Sequence, residues 1–312
     1  MIITRTPLRL SLLGGNTDYP AYFKKYGGVV LTTTIDKYID CIVRERFDDM
    51  IYINYSVKEI VDKVDDIKHE LVREAMRLVG IKDSIEITFL SDIPSEGSGL
   101  GSSSSVTVGL LNALHQYKNE SVSARQLADE ACEIEIDILK KPIGIQDQYA
   151  VAFGGLNLIT MGDEILINKI QSNTEFEDSL MLFYTNKTRK SSKILSKMKL
   201  NKKILDQNKK LACLGATTIN EYGIVYFGSL LNLYWNLKKK LNSYVTNTDI
   251  DKMYEKALKA GAIGGKIVGA GGGGFLLLVV KPENQNNVRR VMGRELPFKI
   301  SNYGSRVIFN IQ

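Results

Sequence analysis

Residues 94–105 read Pro-Ser-Glu-Gly-Ser-Gly-Leu-Gly-Ser-Ser-Ser-Ser. Just before them, Ser84-Ile85-Glu86-Ile87-Thr88-Phe89-Leu90 alternates polar and apolar residues, the pattern of a half-buried strand. Just after them, Val106, Gly109, Leu110, Ala113 and Tyr117 recur at helical spacing, which predicts a helix over 106–117. A loop carrying Gly97, Gly99 and Gly101 between a strand and a helix start has a physical use. Glycine lets the backbone turn sharply and approach a ligand closely, and the free N–H groups of the helix's first turn point at that ligand with the positive end of the helix dipole behind them. The natural ligand is a phosphate. Serines 102–105 add hydroxyls for phosphate oxygens or a metal ion.

The spacing excludes the better-known phosphate loops. A Walker A loop ends in Gly-Lys-Ser/Thr, whereas Gly101 is followed by Ser102; in a dinucleotide fingerprint the third glycine would come one residue later. An exposed glycine-serine linker is disfavoured by the flanking strand and helix.

Outward from this loop, the 312 residues suffice for two domains, and 44% apolar with 24% charged residues is the balance of a globular protein. No apolar run approaches the ~20 residues of a membrane span, and the N-terminus lacks signal-peptide anatomy. Cys41, Cys132 and Cys213 are scattered and odd in number, which predicts reduced thiols and a cytoplasmic location. With only His69 and His115, both predicted on helix surfaces, histidine-ligated zinc and serine–histidine hydrolysis are disfavoured. The net charge of +6 is spread out, and Lys238-Lys239-Lys240 reads as a solvated helix face; no aromatic-basic motif supports nucleic-acid binding, and the charge suits a small anionic substrate equally well. A homodimer is compatible with the sequence but not specified by it.

In chain order, residues 2–13 predict a strand, followed by a turn, Gly14-Gly15-Asn16-Thr17-Asp18-Tyr19-Pro20, with an acid at its tip. Arg9 alternates with Leu8 and Leu10 and faces away from them. Strands are predicted over 29–35, 39–47 and 50–55, and a helix over 66–79 closed by Gly80. Ser123-x-x-Gln126 is a capping box opening a helix to about Leu139. On that helix Glu135 lies beside Ala128, Cys132 and Leu139, so it is expected to be partly buried, and buried acids are kept when paired or metal-bound. Asp147, in Gly144-Ile145-Gln146-Asp147-Gln148, can cap a helix or act as a base. A hairpin spans 156–167, and polar residues 171–179 mark a domain boundary. Beyond it lie a strand (180–185), helices over 191–198, through Lys240, and over 249–261, then two strands enclosing Gly269-Ala270-Gly271-Gly272-Gly273-Gly274, a helix from Pro282 and a last strand at 306–311.

Three motifs thus stand in fixed order: P-L-R-L-S-L-L-G-G-N-T-D-Y at 7–19, P-S-E-G-S-G-L-G-S-S-S-S at 94–105 and K-I-V-G-A-G-G-G-G-F at 266–275. Together they resemble the signature of the GHMP kinases, over essentially the whole chain. The nearest branch is that of the D-glycero-D-manno-heptose 7-phosphate kinases, by T-P-L-R-L-S-x-x-G-G-x-T-D-Y-P, F-Y-T-N-K-T-R-K-S-S from Phe183, L-K-K-K-L from Leu237 and A-G-A-I-G-G-K from Ala260. Asn16 departs from a common glycine, and Asn232-Leu233 from a His-Glu pair.

The resemblance implies an α+β, two-domain fold: residues 1–172 forming a ribosomal-protein-like domain with a left-handed crossover, and 173–312 a ferredoxin-like domain. It implies ATP and Mg²⁺, and phosphoryl transfer to the C1 hydroxyl of a sugar phosphate. On this resemblance Gly97, Ser98, Gly99, Leu100, Gly101, Ser102, Ser103 and Ser104 cradle the ATP phosphates, and Ser103 and Glu135 hold Mg²⁺. Asp147 is the catalytic acid–base with Arg9 as its partner; Asn16, Thr17, Asp18, Gly271 and Gly272 hold the sugar. In the basic cluster Lys187, Arg189 and Lys193, Arg189 is expected to meet the phosphate already on the sugar.

Overall fold

The computed structural model describes residues 1–94, 97–187, 194 and 201–311. The expected helix over 191–198, Arg189 and Lys193 lie outside these residues, Ile194 apart. Eleven strands fall in two sheets among the described residues. They are β1 Ile2–Leu13, β2 Gly28–Glu45, β3 Ile51–Asn54, β4 Lys58–Val61, β5 Ile85–Ser91, β6 Leu156–Met161, β7 Ile165–Ile170, β8 Leu180–Tyr184, β9 Ala262–Ile267, β10 Phe275–Val280 and β11 Arg306–Asn310. The helices are α1 Pro20–Tyr26, α2 Glu70–Val79, α3 Ser102–Tyr117, α4 Ala124–Cys132, α5 Gln146–Phe153, α6 Thr174–Ser179, α7 Lys202–Glu221, α8 Gly223–Leu241, α9 Thr248–Lys259 and α10 Gln285–Val291.

The larger sheet has the order β11-β1-β2-β5-β3-β4, with β6 and β7 added where the first part of β2 pairs with β6. The smaller sheet is antiparallel, β8-β10-β9. One apolar cluster packs α2–α5 against the larger sheet; a second joins Leu8, Leu10 and Leu12 of β1 to Leu211, Phe227 and Leu231 of α7 and α8 and to Leu277 of β10. A third fills the space around Trp235 and the smaller sheet. The larger sheet is therefore buried on both faces along β1, so Arg9 and Ser11, which alternate with Leu8, Leu10 and Leu12, are buried as well. After α10 the chain runs beside β8, then donates from Ser301 N to Thr34 O (2.9 Å), and ends as β11 against β1. The last strand thus completes the first sheet.

Several local expectations are revised. The two strands predicted over 29–35 and 39–47 are one 18-residue strand, β2. Asp36 and Lys37 look like a turn but are a bulge: Pro7 pairs with Tyr38 and Leu8 with Ile35, and the Asp36 carboxylate accepts from Lys299 N at 2.9 Å. Helix α3 begins at Ser102, not Val106, so the serines are its first turn. The helix predicted through Leu139 is α4 plus a π-helical stretch, Glu133–Ile138. Ser123 Oγ accepts from Gln126 N as the capping box requires, but the Gln126 side chain goes to Glu130. His115 is not on a surface: it is buried with Glu120 and Glu130 on its two ring nitrogens. Lys238, read as solvated, is 2% exposed.

The joint between the sheets depends on large apolar anchors. Phe227 is fully buried, with its ring edge-on to Phe176 at 4.9 Å between centroids. Phe227→Ala should cost about 3–5 kcal/mol of stability, read as a lower denaturation midpoint in urea with little change in slope.

Candidate active site

The Gly-Ser loop ends at Gly101, whose φ of 77° puts it in the left-handed region as the residue before α3. A side chain there would run into Arg9, with Cγ 2.8 Å from an added Cβ. That contact gives the site its geometry. In a regular strand, residues three apart face opposite sides. Yet Thr6 lies on Gly109 of α3 and Arg9 on Gly101 at its start, because the β1–β2 register breaks between Pro7 and Leu8.

Arg9 is 5% exposed, and each of its three guanidinium nitrogens donates one hydrogen bond. Nε donates to Asp147 Oδ1 (2.6 Å), Nη2 to Asp147 Oδ2 (2.5 Å) and Nη1 to the Gly99 carbonyl (2.5 Å). Asp147 sits in the first turn of α5, where the helix dipole favours a negative charge. The bidentate pair fixes its carboxylate with about a quarter of the side chain still open (23%).

Asp18 faces the same cleft at 2% exposure. It is not a simple turn residue: Oδ1 accepts from Asn16 N (2.9 Å), Oδ2 from Gln146 N (3.3 Å), and its own carbonyl accepts from Ile145 N. Gly144 leaves room for it, since a Cβ there would lie 1.9 Å from Asp18 Oδ2. Burial, then the charge of Asp147, pushes the Asp18 pKa up to about 6. Two amide groups beside it, Asn16 Nδ2 and Gln146 Oε1, are buried without a partner. An ionised acid, a free donor and a free acceptor are what a polyhydroxylated ligand would satisfy. Tyr19, Tyr234, Lys238 and Ala270 complete the walls.

Thr17, expected at the sugar, is fully buried and gives its hydroxyl to the Gly14 and Val29 carbonyls, so it holds the turn. Gly271 and Gly272 pack on Val245 instead of lining the cleft: Gly272 N donates to Val245 O at 2.6 Å. Within the Gly-Ser loop, Leu100 is core and Ser98 Oγ lies 3.2 Å from Ser102 Oγ. Lys187, from the basic cluster, pairs with Asp249.

Ser103 and Glu135 do meet. Ser103 Oγ donates to Glu135 Oε2 (2.9 Å) and Gln148 Nε2 to Oε1 (3.0 Å). Glu135 is fully buried, and burial raises its pKa against the weaker pull of Lys141 and of its hydroxyl and amide donors. Among the described residues no group of three or more His, Cys, Asp or Glu side chains converges on a metal position. One buried carboxylate and one exposed hydroxyl are hard oxygens that suit Mg²⁺, which keeps several waters and takes further ligands from phosphates. A larger depression of about 560 Å³, among Val29, Met161, Lys210 and Leu214, holds none of these residues.

Sequence reasoning missed Tyr234, Gln146, Lys238 and Lys266. Lys266 of β9 is 1% exposed and donates to the Ser11 and Leu12 carbonyls (2.7 and 3.1 Å), with Nζ 4.5 Å from the centre of the Tyr234 ring. The signal for two of them was present: Leu231, Tyr234, Lys238 and Leu241 fall on one helical stripe.

A GHMP kinase N-terminal domain model matches residues 66–155 and a GHMP kinase C-terminal model residues 223–297. The chain is 32% identical to the D-glycero-alpha-D-manno-heptose 7-phosphate kinase of Campylobacter jejuni, covering 94% of each chain. It belongs to the GHMP kinases. A solved D-glycero-D-manno-heptose 1-phosphate kinase from Bacteroides thetaiotaomicron superposes with a TM-score of 0.83 at 26% identity, over 100% of both chains. The galactokinase of Pyrococcus furiosus is 25% identical over 96% of this chain and 95% of its own. This GHMP kinase has the two-domain α+β fold of its family and is an ATP-dependent sugar kinase.

Two outcomes follow from the geometry of this kinase. Asp147→Asn and Arg9→Met should each lower kcat by about 10²–10⁴-fold in a coupled ADP-release assay. Asp18→Asn should raise ligand-free stability. A folded pKa raised to about 6 means the carboxyl stabilises fully below its unfolded value, 3.8, and loses that contribution as pH rises through 6. The gain in Asp18→Asn is therefore absent near pH 3.5 and reaches up to about 3 kcal/mol above pH 7, measured by denaturation across pH.

Proposed function

We propose that the protein transfers the terminal phosphoryl group of ATP to the anomeric C1 hydroxyl of D-glycero-D-manno-heptose 7-phosphate. The product is the 1,7-bisphosphate, on the way to a nucleotide-activated heptose for surface polysaccharide, in the cytoplasm. We place the domain division between residues 172 and 173, with β11 returning to the first sheet. The observation that carries the transfer chemistry is Asp147 held by Arg9 in the cleft it shares with Asp18. Likeness to a heptose 7-phosphate kinase along 94% of the chain supports the choice of sugar.

Asp147 accepts the proton of the acceptor hydroxyl as its oxygen forms the bond to phosphorus. The bond from phosphorus to the bridging oxygen breaks, and that electron pair leaves on ADP. Arg9 holds the Asp147 carboxylate oriented before the reaction, so no reorganisation is needed in the transition state. Asp18, Asn16 and Gln146 take the sugar hydroxyls and set which one faces Asp147. The backbone N–H groups at the start of α3 receive the phosphates of ATP. Ser103 and Glu135 would hold Mg²⁺, which when bound neutralises phosphate charge.

Asn232 and Leu233, the departure from the heptose-kinase pattern, lie away from this chemistry. Asn232 accepts from Tyr254 OH at 2.7 Å and Leu233 is half exposed. Neither residue is among those lining the cleft.

The test is an acceptor panel with ATP and Mg²⁺: heptose 7-phosphate, galactose, fucose and mevalonate. The expected outcome is fastest ADP release with heptose 7-phosphate, and a product phosphorus signal coupled to the anomeric proton. Faster turnover of another acceptor, or a phosphate at another carbon, overturns the substrate assignment. ATP binding with no ADP release on every acceptor overturns the transfer reading.

A further inference from the structure

The cleft contains a cation that neither of its carboxylates pairs. Arg9 is committed to Asp147 and to the Gly99 carbonyl. Lys266 is committed to two carbonyls of β1. Lys238, on α8, lines the cleft at 2% exposure, and its Nζ donates to the Gly269 carbonyl at 2.5 Å. Among the described residues no carboxylate forms an ion pair with it, and Arg9 and Lys266 repel it. A buried ammonium held by one carbonyl is a net cost to the fold. Such a cost is retained where it serves a ligand.

The position of Gly269 says which ligand. Gly269 lies directly on Gly99 of the Gly-Ser loop: a Cβ on Gly269 would be 2.6 Å from the Gly99 carbonyl oxygen. Arg9 Nη1 binds that same Gly99 oxygen. Arg9 and Lys238 are thus anchored on two touching glycines, one on each side of the contact between the domains. Both side chains line the cleft that holds Asp147, and Gly99, under their anchors, belongs to the Gly-Ser loop.

We propose that Lys238 is the second cation of phosphoryl transfer: its ammonium turns from the Gly269 carbonyl to an oxygen of the terminal phosphoryl group, across from Arg9. As the bond to the ADP oxygen breaks and the bond to the acceptor oxygen forms, Lys238 donates hydrogen bonds to the transferring group and keeps its proton. It takes no part in deprotonating the acceptor, which remains with Asp147. The inference rests on the transfer reading of this cleft but not on the heptose assignment.

The ligand-free charge state gives an independent readout. Burial, with Arg9 adding repulsion, brings the Lys238 pKa down to about 7. The groups facing it are Arg9 from β1, Lys266 from β9, Asp147 from α5, Asp18 and Tyr19 from the turn, and Tyr234 one turn earlier on α8. At pH 8 Lys238 is therefore mostly neutral in the free protein, and an incoming phosphate restores its proton.

The experiment is calorimetry of a non-hydrolysable ATP analogue with Mg²⁺ at pH 8, in two buffers of different ionisation enthalpy, alongside steady-state kinetics. The acceptor is whichever member of the panel the wild type turns over fastest. Wild type should take up a large part of one proton on binding, and Lys238→Met and Lys238→Arg should not. Lys238→Met should lower kcat by about 10²–10³-fold, the cost of removing one preorganised donor, with the acceptor KM changed less than about threefold. Lys238→Arg, which keeps the charge, should recover part of kcat. Ligand-free Lys238→Met should melt no lower than wild type, because it removes an amine that must give up its charge to stay buried. Proton uptake unchanged in Lys238→Met overturns the proposal. So does an unchanged kcat with a selective rise in KM for a phosphorylated acceptor, which would place Lys238 on the phosphate already present. A fall in melting temperature together with both readouts makes Lys238 structural and also overturns it. Failure of heptose 7-phosphate in the panel, with these effects intact on another sugar, would sink the substrate assignment alone.

Discussion

The bidentate pair between Arg9 and Asp147 is the constraint on which the rest of the site depends. Its partners are 138 residues apart and belong to β1 and α5. The pair forms where β1 breaks register with β2, where Gly101, just before α3, has no side chain, and where α5 presents its first turn. Each of these is a local irregularity with a small cost. The charge-assisted bonds, in a site largely closed to water, offset them and leave one carboxylate oriented before any substrate arrives.

Around that pair, the two domains meet backbone to backbone. Gly99 would clash with Val268 and Gly274 with Ser98 if either carried a Cβ. Two glycine-rich loops, 97–101 and 269–274, are thus one structural feature built from distant segments. Close approach of this kind brings backbone donors and the cations of both domains to a single point. It also explains why glycines are concentrated in a segment, 269–274, most of which does not line the acceptor cleft.

The site is a collection of buried charges that the free protein does not fully compensate. Asp18 and Glu135 are carboxylates that burial pushes toward their neutral forms; Lys238 and Lys266 are ammonium groups that burial pushes toward theirs. The apolar clusters on either side of β1 carry that cost. A site of this kind trades resting stability for strong interactions with a charged ligand in a low-dielectric setting.

The sequence by itself determined the local pieces. The strand, Gly-Ser loop and helix at 84–117 were legible because periodicity and glycine placement act over a few residues. Burial of Glu135 was legible from its helical stripe, and Asp18 and Asp147 from turn and loop chemistry. The family motifs added the order of parts and the kinase fold. Only the tertiary structure decided which parts meet. Lys238 read as part of a solvated lysine run, because helical period alone does not say that the stripe it shares with Tyr234 faces a cleft rather than water. Alternation put Arg9 opposite Leu8, but not against Asp147. Asp36 and Lys37 read as a turn because a bulge is held by partners, here Lys299, that lie far along the chain. Thr17 read as a ligand because nothing local reveals that Val29 claims its hydroxyl. The physical reason is the same in each case: propensity and pattern fix a residue's face, while long-range packing fixes what that face touches.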